Sequence, residues 1–155
     1  MSVDVGSKAP DFTLPNQDRA PITLSDELKK GPVVLAFFPG AFSGTCTSEM
    51  CTLRDAMPEL NKVNANVLGV STDTFFALKA WADAQKFTFP LLSDYNKDVI
   101  AKYGVVNPDM IGLKNIAKRA VFVIDRSGIV RHREVLDDAR NEPDYAKLKQ
   151  AIANA

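Results

Sequence analysis

The residues with the clearest chemical potential lie in the stretch PGAFSGTC (39–46), which follows the apolar run PVVLAFF and precedes TSEMCTLRDAMPEL. Cys46 ends this stretch, after a proline, two glycines and Ser43. A helix that begins here directs its free N–H groups and positive dipole end at first-turn side chains, which favours an anion by roughly 0.3–1 kcal/mol. Because the thiolate is the nucleophilic form of cysteine, the position predicts a reactive thiol. The alternative is a small apolar cysteine packed under a sheet.

Other cysteine and histidine chemistry has weak support in this sequence. The chain has two cysteines, Cys46 and Cys51, which are too few for a disulfide framework. With one histidine, they cannot supply a four-ligand zinc site without recruiting carboxylates, and the C-x4-C spacing has no second pair, so we predict no metal and no cofactor. His132 lies in the alternating segment IVRHRE, a pattern more typical of a solvated strand residue than of a general base.

Length and charge limit the function further. The 155 residues, 46% of them hydrophobic, suffice for one domain over residues 1–155, and no shift in composition indicates a second. Lys+Arg and Asp+Glu both total 19, so the charge balance indicates no nucleic-acid partner and no anionic membrane surface. The N-terminus has neither a basic start nor a continuous apolar stretch, and the longest apolar run (33–42) is too short to span a bilayer. We therefore expect a soluble, cytoplasmic protein.

Strands and helices that would position Cys46 alternate along the chain. The continuous apolar run at 33–38 predicts a strand buried on both faces. Further strands are expected at 11–14, 21–24, 66–71 and 89–94, with a hairpin formed by 120–125 and 129–134. Helices are expected at 43–62, 75–86, 97–103 and 143–153, after a short helical turn in SDELKKG. This order predicts an α/β fold in which a central sheet is flanked by helices.

The residues around Cys46 also carry a family resemblance. PGAFSGTC fits the pattern P-x-x-x-[TS]-x-x-C with Pro39, Ser43 and Cys46 in register, and the sequence here resembles the peroxiredoxins, which are thiol peroxidases of thioredoxin-like fold. VGSKAPDFTL, FTFPLLSD and KRAVFVIDRSGIVR are similar to other family segments, the last of which includes Arg119. The chain looks most like the alkyl hydroperoxide reductase E and bacterioferritin-comigratory branches. The resemblance implies a thioredoxin-like fold with a central mixed β-sheet.

The resemblance also implies a role for each residue of the motif. Cys46 would attack a peroxide, Pro39 would shield it from solvent, and the hydroxyl of Ser43, where threonine is the commoner choice, would bind the substrate. Arg119 would stabilise the thiolate and orient the peroxide, as a fixed guanidinium beside an anion should. Glu49 occupies a position that often carries a supporting hydrogen-bonding residue, although the helix dipole alone explains a first-turn glutamate.

The role of Cys51 stays open between two interpretations. In an intact helix, the Cα atoms of Cys46 and Cys51 would lie roughly 8–9 Å apart, beyond the limit of about 7 Å for a disulfide. The C-x4-C spacing nevertheless matches bacterioferritin-comigratory proteins, in which the second cysteine resolves the first after the helix start unwinds. The alternative is that Cys51 packs in the core.

The predicted function is therefore reduction of H2O2 and organic hydroperoxides, in which a cysteine becomes a sulfenic acid and is restored by a resolving or external thiol. Candidate reductants are thioredoxin, a glutaredoxin-like protein or a low-molecular-weight thiol, and the resemblance implies a homodimer. The alternative function is a redox sensor or binding module on the same fold. A thioredoxin-like disulfide reductase is disfavoured because the chain has no C-x-x-C pair.

Overall fold

The computed structural model describes residues 3–155 and has a mixed β-sheet with helices on both faces. The strands are β1 (Thr13–Pro15), β2 (Pro21–Thr23), β3 (Val33–Phe37), β4 (Asn66–Ser71), β5 (Leu91–Ser93), β6 (Val106–Met110), β7 (Leu113–Ala117), β8 (Arg119–Ile124) and β9 (Val130–Leu136). The helices are α1 (Leu24–Leu28), α2 (Gly44–Lys62), α3 (Phe75–Gln85), α4 (Asp98–Lys102) and α5 (Tyr145–Ala153). The predicted central mixed sheet is confirmed.

The main sheet has the strand order β5-β4-β3-β8-β9. Strands β3, β4 and β5 run parallel, whereas β8 pairs antiparallel with both β3 and β9. Because β3, β4 and β5 are parallel, the loops that follow them leave the same edge of the sheet. In open α/β sheets this edge is where ligands bind.

Strand β3 lies at the centre of the sheet because its side chains are apolar on both faces. All five of its residues are buried. Alternate residues enter two different cores, with Val33, Leu35 and Phe37 in one and Val34 and Ala36 in the other. The first core includes buried side chains of α1 and α4, and the second includes those of α2, α3 and α5. A continuous apolar run thus encodes a strand covered on both sides.

Helix α2 begins where the motif predicts a helix and continues to Lys62. Its N-cap is Ser43, whose backbone is extended and whose side chain makes no capping hydrogen bond. Pro58 lies inside the helix without ending it. The first turn of α2 therefore lies just beyond the carboxyl end of β3, at the edge from which the loops emerge.

The hairpin of β6 and β7 was absent from the predicted elements. Pro108 and several polar residues interrupt the apolar alternation that would indicate strands. Its turn contains Ile111 and Gly112 with φ of +55° and +86°. An exposed isoleucine in the left-handed region gives no turn signal in a sequence, because β-branched residues rarely adopt it.

Two further observations concern His132 and the membrane. His132 lies in a strand, as predicted, and pairs with Val123 in the sheet. Its side chain is half-buried rather than solvated, and its Nε2 is buried with no hydrogen-bond partner among residues 3–155. Within that same range, no helix is long and apolar enough to cross a membrane.

Candidate active site

Cys46 is the third residue of α2 and is completely buried. Its position in the first turn places it among backbone N–H groups that have no carbonyl partner within the helix. The positive end of the helix dipole acts at the same place. A thiolate at Cys46 is therefore favoured by the backbone before any charged side chain is considered.

Arg119 is the charged side chain that reaches the cysteine. It is the first residue of β8, and its neighbour Ala120 pairs with Phe37 at the end of β3, so the sheet register brings Arg119 close to the start of α2. Its Nη2 lies 3.1 Å from Cys46 Sγ. Although 73 positions separate the two residues in sequence, the fold brings them into direct contact.

The guanidinium of Arg119 is held by two further partners. Its Nη1 donates to Glu49 Oε2 at 2.7 Å, and its Nε and Nη2 donate to the Ala139 carbonyl at 3.2 and 3.0 Å. The side chain is 1% exposed, so this charge has almost no contact with solvent. Burial acts to lower the pKa of Arg119, but the neighbouring Cys46 and Glu49 raise it above its usual value. Arg119 is thus a fixed cation aimed at sulfur.

Glu49 lies one turn after Cys46 on the same helix and is fully buried. Burial raises its pKa to about 7, although Arg119 acts in the opposite direction; Glu142 and Glu134 add to the increase. Its Oε1 has no hydrogen-bond partner within the described part of the chain. A glutamate with this pKa changes its charge near neutral pH, beside the arginine that contacts the cysteine.

Glu142 joins the first turns of α2 to the segment that leads into α5. Its Oε1 accepts hydrogen bonds from the Ser48 hydroxyl at 3.1 Å and from the Tyr145 hydroxyl at 2.6 Å. Burial is the main reason that the pKa of Tyr145 is raised, and its hydrogen bond to Glu142 contributes in the same direction. We call this set of contacts the Glu142 clasp.

The structure separates Ser43 and Pro39 from the Cys46–Arg119–Glu49 contacts. The Ser43 side chain is exposed, and its hydroxyl donates to the Gly40 carbonyl at 3.1 Å. Pro39 is buried in the loop after β3. Between them, Phe42 has φ of +68°, which is unusual for a bulky residue, and its ring lies 6.3 Å from that of Trp81.

Cys51 is part of the same unbroken helix as Cys46, and both cysteines are free. Cys51 is half-buried, and its thiol lies 3.6 Å from Gln85 Oε1 at the end of α3. A bond between the two sulfurs therefore requires the start of α2 to unwind.

One part of the site was not predicted from the sequence. The Ala139 carbonyl accepts two hydrogen bonds from Arg119, yet a backbone acceptor leaves no mark in a sequence. The closeness of Glu134 and Glu142 to Glu49 likewise depends on the folding of the C-terminal segment. In the sequence, only the alternation in β9 and the helical pattern of α5 could have indicated that these glutamates approach Glu49.

The arrangement is suited to nucleophilic attack by sulfur. A thiolate held by a guanidinium, excluded from water, needs no reorganisation of solvent at the moment of reaction. The guanidinium N–H groups can also stabilise the oxyanion that forms when the bond between the attacked atom and its leaving group breaks. The site thus combines a nucleophile with a fixed positive charge.

Sequence comparisons agree with this chemistry. The model of the AhpC/TSA family matches residues 5–133. Alkyl hydroperoxide reductase E of Mycobacterium tuberculosis is 42% identical over 135 residues, which cover 86% of each chain. A chloroplastic 2-cysteine peroxiredoxin of Chattonella marina var. antiqua is 37% identical over 164 residues, which cover 98% of this chain and 82% of that relative.

Solved structures give the same result for the fold. The crystal structure of peroxidoxin BcpB from Mycobacterium tuberculosis superposes with a TM-score of 0.85 at 35% identity, covering 97% of this chain and 95% of that one. The similarity therefore extends over almost the whole chain.

Proposed function

The chain belongs to the AhpC/TSA family and is a thiol-dependent peroxidase of thioredoxin-like fold, and we propose that Cys46 is its peroxidatic cysteine, served by Arg119 and Glu49. The observation that carries this assignment is the 3.1 Å contact between Arg119 Nη2 and Cys46 Sγ in a fully buried site. Cys51, the other cysteine of the chain, accepts no hydrogen bond from a cationic side chain among residues 3–155; its thiol faces the Gln85 amide oxygen at 3.6 Å.

The reaction starts with attack by the Cys46 thiolate on one oxygen of the peroxide. An S–O bond forms as the O–O bond breaks, and the other oxygen leaves as an alkoxide or hydroxide that takes a proton to give an alcohol or water. Cys46 is oxidised by two electrons to the sulfenic acid. A thiol then displaces water to form a disulfide, and a second thiol releases Cys46.

Arg119 and Glu49 have complementary roles in this proposal. Arg119 stabilises the thiolate and then the developing oxyanion, and Glu49 holds the guanidinium in place through the 2.7 Å bond. Because burial raises the pKa of Glu49 to about 7, this bond becomes fully charged only as pH rises through neutrality. The carboxylate form therefore holds Arg119 more tightly than the acid does.

Ser43 and Pro39 are assigned supporting roles. The Ser43 hydroxyl bonds the Gly40 carbonyl, and rotation about its side-chain bond would release it to donate to the peroxide. Pro39 is buried and has no N–H, so its ring shields the site without adding an unsatisfied donor.

We also propose that Cys51 resolves the sulfenic acid. Support comes from its place in the helix segment that must open before any thiol reaches the buried Cys46. The same opening breaks the weak contact to Gln85 and releases the Cys51 thiol.

Partners and assembly are further parts of the proposal. The substrates are H2O2 and organic hydroperoxides, and the reductant is thioredoxin, a glutaredoxin-like protein or a small thiol. A homodimer is supported by exposed aromatic side chains on loops and helix ends near the site: Phe42, Phe76 and Tyr95 are 58%, 68% and 62% exposed. Free thiols at both cysteines suit the cytoplasm. One domain over residues 1–155 stays a prediction.

The test compares wild type with Cys46→Ser in a coupled assay that supplies peroxide and a thiol reductant. Wild type should consume peroxide over many turnovers, and Cys46→Ser should consume none while keeping its circular dichroism spectrum. Turnover by Cys46→Ser would refute the assignment. A single oxidation of wild type without turnover would instead favour the redox sensor.

A further inference from the structure

Asp73 ties the loop before Cys46 to the neighbouring strand. It lies two residues beyond the end of β4, and its Oδ2 accepts the Ala41 N–H at 2.8 Å and the Ser71 hydroxyl at 2.7 Å. Its own N–H donates to the Ser71 hydroxyl at 3.2 Å, and its carbonyl accepts the Ser93 hydroxyl at 2.6 Å. Asp73 is thereby fixed to the carboxyl ends of both β4 and β5.

Packing of Pro39, Ala41 and Phe42 also holds the loop of residues 39–43, but few other hydrogen bonds do. Phe38 N–H makes the last sheet bond, to the Val70 carbonyl at 2.9 Å, and Thr47 N–H makes a helical bond to the Ser43 carbonyl at 2.9 Å. Among the hydrogen bonds of residues 3–155, the Ala41–Asp73 bond is the one that links residues 39–42 to an element of the fold beyond α2 and its N-cap. It therefore helps to fix where the loop lies relative to the sheet.

The conformation of the loop requires such a constraint. Phe42 has φ of +68°, and Ala41 lies just before it in the same turn. A bulky residue stays in the left-handed region only where its surroundings hold it there. Release of Ala41 would let Phe42 relax, and the helix start that carries Cys46 would shift with it.

We propose that Asp73 is a positioning residue for the peroxidase reaction. By holding Ala41, it keeps the loop where its hydrogen-bond donors, such as the Ser43 hydroxyl, face the peroxide bound at Cys46. This inference rests on the proposed function. Asp73 touches neither Cys46 nor Arg119 in the contacts of the described residues, so its effect passes through the loop. Small displacements of such donors lower rates strongly.

The experiment compares two reactions of the same sulfur. In Asp73→Ala, oxidation of Cys46 by H2O2 should slow by about tenfold, equivalent to about 1.4 kcal/mol. Alkylation of Cys46 by iodoacetamide, which needs no oxyanion donors, should stay within about twofold of wild type. Asp73→Asn keeps an acceptor oxygen for Ala41 and should recover most of the lost rate. Asp83→Ala is the matched control, since Asp83 is an exposed aspartate of α3.

The outcomes separate this proposal from the proposed function. If wild-type Cys46 does not react with peroxide, the proposed function fails and this proposal fails with it. If wild type reacts and Asp73→Ala reacts equally fast, or loses alkylation in parallel with oxidation, the positioning role alone is overturned. Should Asp73→Ala fail to fold, Ala41→Pro removes the donor instead, since proline has no N–H. If H2O2 oxidises Cys46 of Ala41→Pro as fast as that of wild type, the proposal is overturned.

Discussion

Replacing Arg119 with methionine removes the cation that contacts Cys46 and keeps most of the side-chain volume. The change deletes the 3.1 Å contact to Sγ and the 2.7 Å bond to Glu49. Because burial already raises the pKa of Glu49 to about 7, loss of Arg119 leaves this carboxyl protonated at neutral pH rather than as a buried anion. The variant should therefore fold, at reduced stability.

The expected loss of rate follows from the one charged hydrogen bond to sulfur. A hydrogen bond to a charged group contributes about 1.5–3 kcal/mol. If the transition state loses this whole amount, oxidation of Cys46 slows by roughly 10- to 150-fold.

Stopped-flow mixing with H2O2 measures the oxidation rate directly. The fluorescence of Trp81, the single tryptophan, can report the reaction because its ring lies 5.2 Å from Phe38 and 6.3 Å from Phe42 in the segment that leads to Cys46. Arg131→Met is the matched control. Arg131 lies on β9, where it forms an ion pair with Asp125 and does not contact Cys46. An oxidation rate in Arg119→Met equal to that of wild type, or an equal loss of rate in Arg131→Met, would refute the reasoning.

Four other outcomes are expected. Burial raises the pKa of Glu49 from 4.5 to about 7, so as pH rises from 5 to 8 wild type should lose roughly 2–3 kcal/mol of unfolding free energy relative to Glu49→Gln; urea titrations that show a constant difference would contradict this. Glu142→Ala removes the clasp and should speed amide hydrogen exchange in the first turns of α2 about fivefold, whereas unchanged exchange argues against the clasp. Peroxide-treated wild type should form a Cys46–Cys51 disulfide with loss of helical signal; peptide mapping that finds Cys51 still a free thiol assigns an external reductant. Phe76→Asp should shift sedimentation from dimer to monomer, and an unchanged sedimentation coefficient would exclude this surface as the interface.

The main sheet and α2 could be predicted because their patterns are local. The run at 33–38 is apolar at every position, which only a strand covered on both faces requires. The start of α2 was likewise marked by the change from this run to the glycine- and serine-containing loop. The hairpin of β6 and β7 lacked such a pattern, because Pro108 and exposed polar residues hide its alternation and Ile111 occupies a turn position that favours glycine.

The contacts of the site could be predicted only in part. The approach of Arg119 to Cys46 across 73 positions came from family resemblance, because no local pattern encodes it. The burial of Glu49 was missed because the sequence was interpreted as placing it in the first turn, where the helix dipole explains a glutamate. Helix α2 begins at Gly44, so Glu49 lies beyond the first turn and is fully buried. The tether from Asp73 to Ala41 could have been suspected from a carboxylate just beyond a parallel strand, but its partner is a backbone N–H without a sequence signal.

The central claim is that peroxide oxidises Cys46 to a sulfenic acid, and trapping that product tests it most directly. Cys51→Ser leaves Cys46 as the single thiol of the chain. This variant is treated with one equivalent of H2O2 in the presence of dimedone, which reacts with sulfenic acids, and its peptides are mapped by mass spectrometry. We predict one dimedone adduct on the peptide that contains Cys46. An unmodified Cys46 peptide after the peroxide has been consumed would contradict the account.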